Sequence, residues 1–405
     1  MKKKHSIILT AFFSAALLAL AALLFVRVRG IPKSIVQQNE AIQEISEQIP
    51  PEATDAPQPE AEEPEKIESF LIGGREYSPD AAEIDLSGVT YDDFIADARE
   101  KLICFTAPEK FYLCTQEDIA QSWTAEQAAQ LNALFPDAEV YSAFDVCGRC
   151  LSSWDEEIEF DGEDIGNDGF EEIKAVLPFL HGCKRFVIAD CNIDYELLAQ
   201  AKEEFPERNI VWRVYLFHYP YMTDCERICT VHIDRESSEV LKYCTEVKYV
   251  DFGHSPWLDT CDFLRYMPHL EAAILALTGI SDISALAYCP ELEYLEICAT
   301  DVSDLTPLEN CTKLEYLNIS RMPKLTDISP IYGLTKLKRV RIVADVVSED
   351  MKKELAEKLP DCELMLTGYE LYGNGWRYNE DGTIYERYAL LREQMGYDEP
   401  GNLKQ

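Results

Sequence analysis

An α/β solenoid with parallel strands on its concave face is the fold class predicted for this chain of 405 residues, and three observations predict it. A unit of 22 or 23 residues recurs from starts at Leu270, Leu292, Leu314 and Leu337. Each unit joins a short apolar alternation, such as Leu292, Leu295 and Ile297, to a return stretch carrying Val302, Leu305 and Leu308. Outside that array, helix, proline stop and strand follow one another three times. One such unit cannot bury its apolar side alone, so neighbours must stack and share a core. At about 1.5–3 kcal/mol for each fully buried aliphatic side chain, stacking offsets much of the cost of ordering the backbone.

Taken in order, Lys2, Lys3 and Lys4 precede an uncharged, mainly apolar run over residues 6–26, long enough to span a bilayer as a helix and closed by Arg27 and Arg29. We read residues 1–30 as an uncleaved signal anchor, a transmembrane helix with a cytoplasmic N-terminus and the remainder of the chain on the extracellular face. Secretion after cleavage near Ala19-Leu20-Ala21 is the alternative, although the apolar core is longer than a cleaved signal requires. Residues 31–68 combine prolines with like charges, the composition of a disordered acidic spacer.

Residues 69–235 read as irregular long repeats. Ile84-Asp-Leu86-Ser-Gly88 is echoed some 75 residues later by Ile158-Glu-Phe160-Asp-Gly162, and Phe111-Tyr-Leu113 by Phe186-Val-Ile188. Each copy runs a helix into a Phe-Pro stop at Phe135-Pro136 or Phe205-Pro206, then a strand. Proline removes an N–H donor and ends the helix. Regular repeats occupy 236–345, with Val247, Val250 and Phe252 one unit ahead of Leu270. A helix–strand capping unit covers 346–368, with its stop at Pro360, and an aromatic cap covers 369–405. Trp376, Tyr378, Tyr385, Tyr388, Leu391 and Met395 are expected to close the last core layer. The whole of 69–368 is expected to form one curved solenoid.

The stretches Thr278-Gly-Ile280-Ser-Asp282-Ile283 and Thr300-Asp-Val302-Ser-Asp304-Leu305 resemble the bacterial internalin-type leucine-rich repeat, over about 100 residues. Cys289 and Cys311 stand where that pattern has leucine, and one extra residue around Arg321-Met-Pro-Lys predicts a bulge near Met322. The Phe-Pro stops, Val211-Trp212-Arg213, Gly375-Trp376-Arg377 and Tyr385-Glu-Arg387-Tyr388 resemble a group of exported leucine-rich repeat proteins of gram-positive anaerobes. That resemblance implies location and fold, and names no activity.

Composition narrows the function further. A net charge of −37, from 74 acids against 37 bases, repels nucleic acid and anionic lipid headgroups. No HExxH, GxSxG or P-loop pattern occurs in the sequence. Asp164-Ile-Gly166-Asn-Asp168-Gly169 departs from a calcium loop at the third position and at Ala175, the twelfth. Of 14 cysteines, Cys147-Gly-Arg-Cys150 alone has a redox spacing, and no second such pair completes a zinc set. No catalytic residue, cofactor or metal is predicted.

What remains is recognition. Side chains alternate along a strand, so positions between the buried leucines face the concave side. They include Tyr249, Asp251, Tyr294, Glu296, Tyr316, Asn318, Arg339 and Arg341, an aromatic column flanked by charge, and we take these eight as the candidate ligand-binding residues. Tyr and Arg concentrate binding energy at interfaces, while cross-strand aromatics also stabilise a sheet. The expected function is a non-enzymatic cell-surface recognition or adhesion protein that binds a protein or glycan. A structural envelope spacer or assembly subunit is the alternative, and thiol redox at Cys147 and Cys150 a third reading.

Overall fold

The computed structural model describes residues 68–98, 105–119, 123–343, 346–368, 375–399 and 402–403. The span over 6–26 and residues 31–67 of the spacer lie outside them; among the described residues no helix is long and apolar enough to cross a membrane. The chain divides into two compact units, Met1–Trp154 and Asp155–Gln405.

The first unit opens with an antiparallel hairpin, β1 (Phe70–Ile72) and β2 (Arg75–Tyr77), turning at Gly73 and Gly74. Gly73 has φ +55°, and a Cβ there would lie 2.7 Å from Val89, so glycine is required on both counts. β3 (Glu83–Asp85), α1 (Tyr91–Ala98), β4 (Lys110–Tyr112), α2 (Ala125–Leu134) and β5 (Glu139–Tyr141) follow, the three strands forming a parallel sheet in sequence order. Thr124 and Gln127 cap α2 reciprocally, and the helix stops at Phe135, just before Pro136. β6 (Ala143–Val146) and β7 (Arg149–Ser152) make a second hairpin.

Cys147 and Gly148 are the two central residues of that hairpin turn, with φ +52° and +75°. Two successive positive φ values match the twist of the flanking strands. The Cys147–Cys150 spacing therefore belongs to a tight turn, with Cys150 exposed on β7. Cys150 continues into a strand and not into the start of a helix, which is the setting that lowers a thiol pKa, so the redox reading loses its structural basis.

In the second unit β8 (Glu157–Asp161), α3 (Gly166–Val176), β9 (Arg185–Ala189), α4 (Tyr195–Glu204) and β10 (Ile210–Leu216) build a parallel sheet, to which β11 (Tyr219–Met222) adds an antiparallel edge. A separate sheet of seven parallel strands holds β12 (Arg227–Cys229), β13 (Tyr249–Asp251), β14 (Ala272–Ile274), β15 (Tyr294–Glu296), β16 (Tyr316–Asn318), β17 (Arg339–Arg341) and β18 (Glu363–Met365), in sequence order. α5 (Arg235–Ser238) follows β12 and α6 (Glu349–Lys358) precedes β18. Between residues 83 and 365 the parallel strands form three separate sheets, β3–β5, β8–β10 and β12–β18. The regular array also starts one strand earlier than 236, at β12.

The coils between β12 and β17 return through short 3-10 helices, and the sequence pattern has a specific reason at the corners. Leu277, Ala299 and Arg321, at identical repeat positions, adopt φ +61°, +56° and +53° where the strand ends. The hydroxyls of Thr278 and Thr300 donate to the carbonyls of Leu275 and Ile297 at 2.8 and 2.7 Å. Asp282, Asp304 and Asp327 accept from the backbone N–H two residues on, each at 2.8 Å, and so start the return helices. Cys289 and Cys311 are buried, and each thiol donates to a carbonyl of the preceding coil, Leu264 or Leu286, at 3.4 Å. The predicted bulge near Met322 does not reach the sheet: Leu317 pairs with Val340 in unbroken register, and Met322 is buried in the corner.

Candidate functional site

In the seven-stranded sheet Val250, Ala273, Leu295, Leu317 and Val340 align in one register and are buried on the repeat core side. The alternate positions, which hold the candidate residues, face the other side. That face is covered by the chain's own C-terminal segment.

Trp376 and Arg377, α7 (Glu386–Met395) and β19 (Tyr397–Glu399), which pairs with β20 (Asn402–Leu403), make up this segment. Tyr378 and Ile384 bridge to close its loop. Trp376, Tyr388, Leu391 and Met395 form one apolar cluster with Ala272, Ile274, Tyr294, Cys298 and Tyr316 of the sheet. The aromatic cap expected at the end of the solenoid therefore lies across its concave side. An end cap shields one coil, whereas this arrangement spans strands from β12 to β17.

Glu296 is the centre of the arrangement, with its side chain 0% exposed. Arg377 donates to it twice, Nε to Oε1 at 3.0 Å and Nη2 to Oε2 at 2.6 Å. The Trp376 indole N–H donates to Oε1 at 3.0 Å, and the Tyr294 hydroxyl donates to the same oxygen. A fork-on-fork pair of this kind is both stronger and more directional than a point-charge contact. Burial works to discharge Arg377, yet the Glu296 carboxylate outweighs it and holds the guanidinium pKa well above the usual arginine range. The Arg377 guanidinium also lies 4.9 Å from the centre of the Tyr388 ring.

The other candidate residues fare similarly. Tyr294 and Tyr316 stack with ring centres 6.0 Å apart, and Arg387 sits over both, at 5.6 and 5.7 Å. Arg339 is buried, pairs with Glu363 at 2.9 Å and stacks 4.0 Å over Tyr385. Arg341 is buried beside Met365, and Asn318 is buried with Oδ1 accepting from the Ser320 N–H at 3.2 Å. Asp251 accepts from the Tyr397 hydroxyl at 2.6 Å. Tyr249 donates to Glu271 at 2.6 Å, accepts from Gln394 at 3.2 Å and stays half-buried. All eight residues do share one face. Rather than an open ligand surface, they line a groove that is already filled over most of its length.

Sequence reasoning missed Trp376, Arg377, Arg387, Gln394 and Tyr397 as groove occupants. An available signal was the run of aromatic and arginine side chains after the last repeat, which complements an acid set among tyrosines. At the β12 end the filling is incomplete: a cavity of about 500 Å³ is lined by Tyr221, Glu226, Arg227, Tyr249, Gln394 and Met395, among others.

Burial raises the Asp251 carboxyl pKa, against the opposing donation from Tyr397 and Gly253. The folded chain then binds this proton more tightly than the unfolded chain, whose carboxyl titrates near about 3.9, so stability falls as pH rises from there through the raised value. Asp251→Asn keeps an acceptor for both donors and removes that loss. Urea unfolding repeated from about pH 4 upward to about pH 8 should show the variant gaining on the wild type as the pH rises.

No family model matches the chain, and no curated protein does. Among solved structures it is similar to internalin C2 of Listeria monocytogenes, with 21% identity over 33% of this chain and 60% of that one and a TM-score of 0.28. A second Listeria internalin, InlF, gives 17% identity, 48% and 66% coverage and a TM-score of 0.32. A leucine-rich repeat protein of Leptospira interrogans gives 15%, 47%, 50% and 0.32. The chain thus spans less than two thirds of each. The repeat assignment rests on this chain's own period and strand register.

Proposed function

We propose that this chain is a non-catalytic recognition protein, carried at the outer face of a cell by its N-terminal apolar segment, whose concave groove grips a protein segment presenting arginine beside aromatic residues. The observation that supports the reading is the Glu296 socket. A fully buried carboxylate is costly unless a cation satisfies it, so the groove selects for a guanidinium at this point. Here the chain's own Trp376 and Arg377 meet that demand. A partner segment competes with them and makes first contact in the open cavity at the β12 end. A neutral glycan would leave Glu296 without its counter-charge, which favours a protein partner for this groove.

The full chain with Arg377→Ala tests this reading, because the socket is then vacant. An acetylated Gly-Trp-Arg-Tyr peptide, copying residues 375–378, should raise its melting temperature saturably. The same peptide should leave the Arg377→Ala, Glu296→Gln double variant unmoved. Equal responses in the two variants would refute an arginine socket. The structural-spacer alternative predicts no saturable response in either.

A further inference from the structure

Cys244 ends the 3-10 return helix Glu239–Tyr243, the place that Cys289 and Cys311 hold in later coils. Those two thiols donate to a carbonyl of the preceding coil. The coil of Cys244 is the first of the regular array, with β12 at the edge of the sheet. Its thiol donates instead to the Cys225 sulfur, and this bond, together with burial, raises its pKa and keeps it protonated.

Backbone bonds hold the two cysteines side by side. The Glu226 carbonyl accepts from the N–H groups of Lys248 and Tyr249 at 2.8 and 3.1 Å, which sets the approach to β12 beside the approach to β13. Cys225 and Cys244 each close a turn just ahead of these strands, their N–H groups donating to Met222 and Leu241 at 3.0 Å.

A lysine completes the cluster. Tyr195, Leu198 and Lys202 share one face of α4, and the Tyr195 ring meets that of Tyr243 at 5.8 Å, so Lys202, two turns further along, comes near Cys244. The Lys202 Nζ is buried and has no hydrogen-bond partner among the described residues, and its charge opposes the rise in the Cys244 pKa. A buried ammonium without a counter-charge is costly, and a thiolate beside it supplies one.

The two sulfurs differ in access. Cys244 is 0% exposed, whereas Cys225 is half-buried and lines the cavity of about 500 Å³ at the β12 end. A reagent therefore meets Cys225 first. Cys229, which lines the same cavity, is buried, and its thiol donates to the Met395 carbonyl at 3.6 Å.

We propose that Cys225 and Cys244 are a disulfide-forming pair, oxidised by thiol–disulfide exchange with a low-molecular-weight disulfide that enters the cavity at the β12 end. The Cys225 thiolate attacks one sulfur of the reagent, forming a mixed disulfide and releasing the other half as a thiolate. Cys244, deprotonated beside Lys202, then attacks the Cys225 sulfur; the bond from Cys225 to the reagent breaks and the second half leaves. Two protein thiols are oxidised and one reagent disulfide is reduced to two thiols, which take up the two protons. The new bond ties the edge strand to the return helix of its own coil, where a terminal repeat lacks one neighbour. The proposal does not depend on the arginine socket.

Oxidised glutathione added to the reduced full chain under native conditions tests it. Peptide mapping after alkylation of the remaining thiols should show Cys225 linked to Cys244. The melting temperature should rise by about 5–10 °C, because the closed loop restricts the unfolded chain. Cys244→Ala should stop at a glutathione adduct on Cys225. Cys225→Ser, at a half-buried position where the fold is not at risk, should leave Cys244 unmodified and abolish the rise in melting temperature. A native chain in which Cys225 stays unreactive, keeps its glutathione with Cys244 present, or links to Cys229 instead would overturn the proposal.

Discussion

Arg377→Ala should lower the stability of the Asp155–Gln405 unit by about 3–5 kcal/mol, the cost of leaving a buried carboxylate without its counter-charge. Glu296 has no solvent to turn to, and its remaining donors, Trp376 and Tyr294, are neutral. Replacing both partners has a different outcome. Glu296→Leu with Arg377→Met removes the two desolvation penalties together and should recover most of the loss, within about 1–2 kcal/mol of the wild type. Urea unfolding of the two single variants and the double variant closes the cycle, and the coupling energy should be large and of compensating sign. Purely additive losses would mean that the two side chains do not meet.

Ending the chain at Gly368 should have the largest effect of all. The deletion strips cover from Ala272, Ile274, Tyr294, Cys298 and Tyr316, a contiguous apolar face on a sheet of seven strands. Exposed patches of that kind drive association. It also leaves Glu296 facing solvent at the floor of that patch. The truncated chain should self-associate, with a melting temperature lower by about 10 °C or more, given that a 1 kcal/mol loss shifts a domain of this size by about 2–4 °C. Size-exclusion chromatography with light scattering would detect it. A truncated chain that stays monomeric with unchanged melting would show that the C-terminal segment covers nothing essential.

The sequence made the repeat array legible because its signal is local. Leu292, Leu295 and Ile297 are buried where the alternation put them, and the Thr and Asp positions of the pattern turn out to be corner and return-helix bonds within a few residues. The eight concave positions were legible for the same reason, since strand alternation assigns a face without knowledge of tertiary contacts. Their accessibility was not. Glu296 and Arg377 lie 81 residues apart, and nothing periodic in the segment after Gly375 announces where it packs. The aromatic residues there were recognised as a cover, but an end cap and a groove filling bury the same side chains.

Filling of the concave face by the chain's own C-terminal segment can be read from the Trp376 indole proton. With Trp376 Nε1 at 3.0 Å from Glu296 and its ring 5.9 Å from that of Tyr294, selectively labelled protein should show a nuclear Overhauser effect from this proton to the Tyr294 ring and slow exchange with water. A rapidly exchanging Trp376 indole with no contact to Tyr294 would mean that the segment does not cover this face.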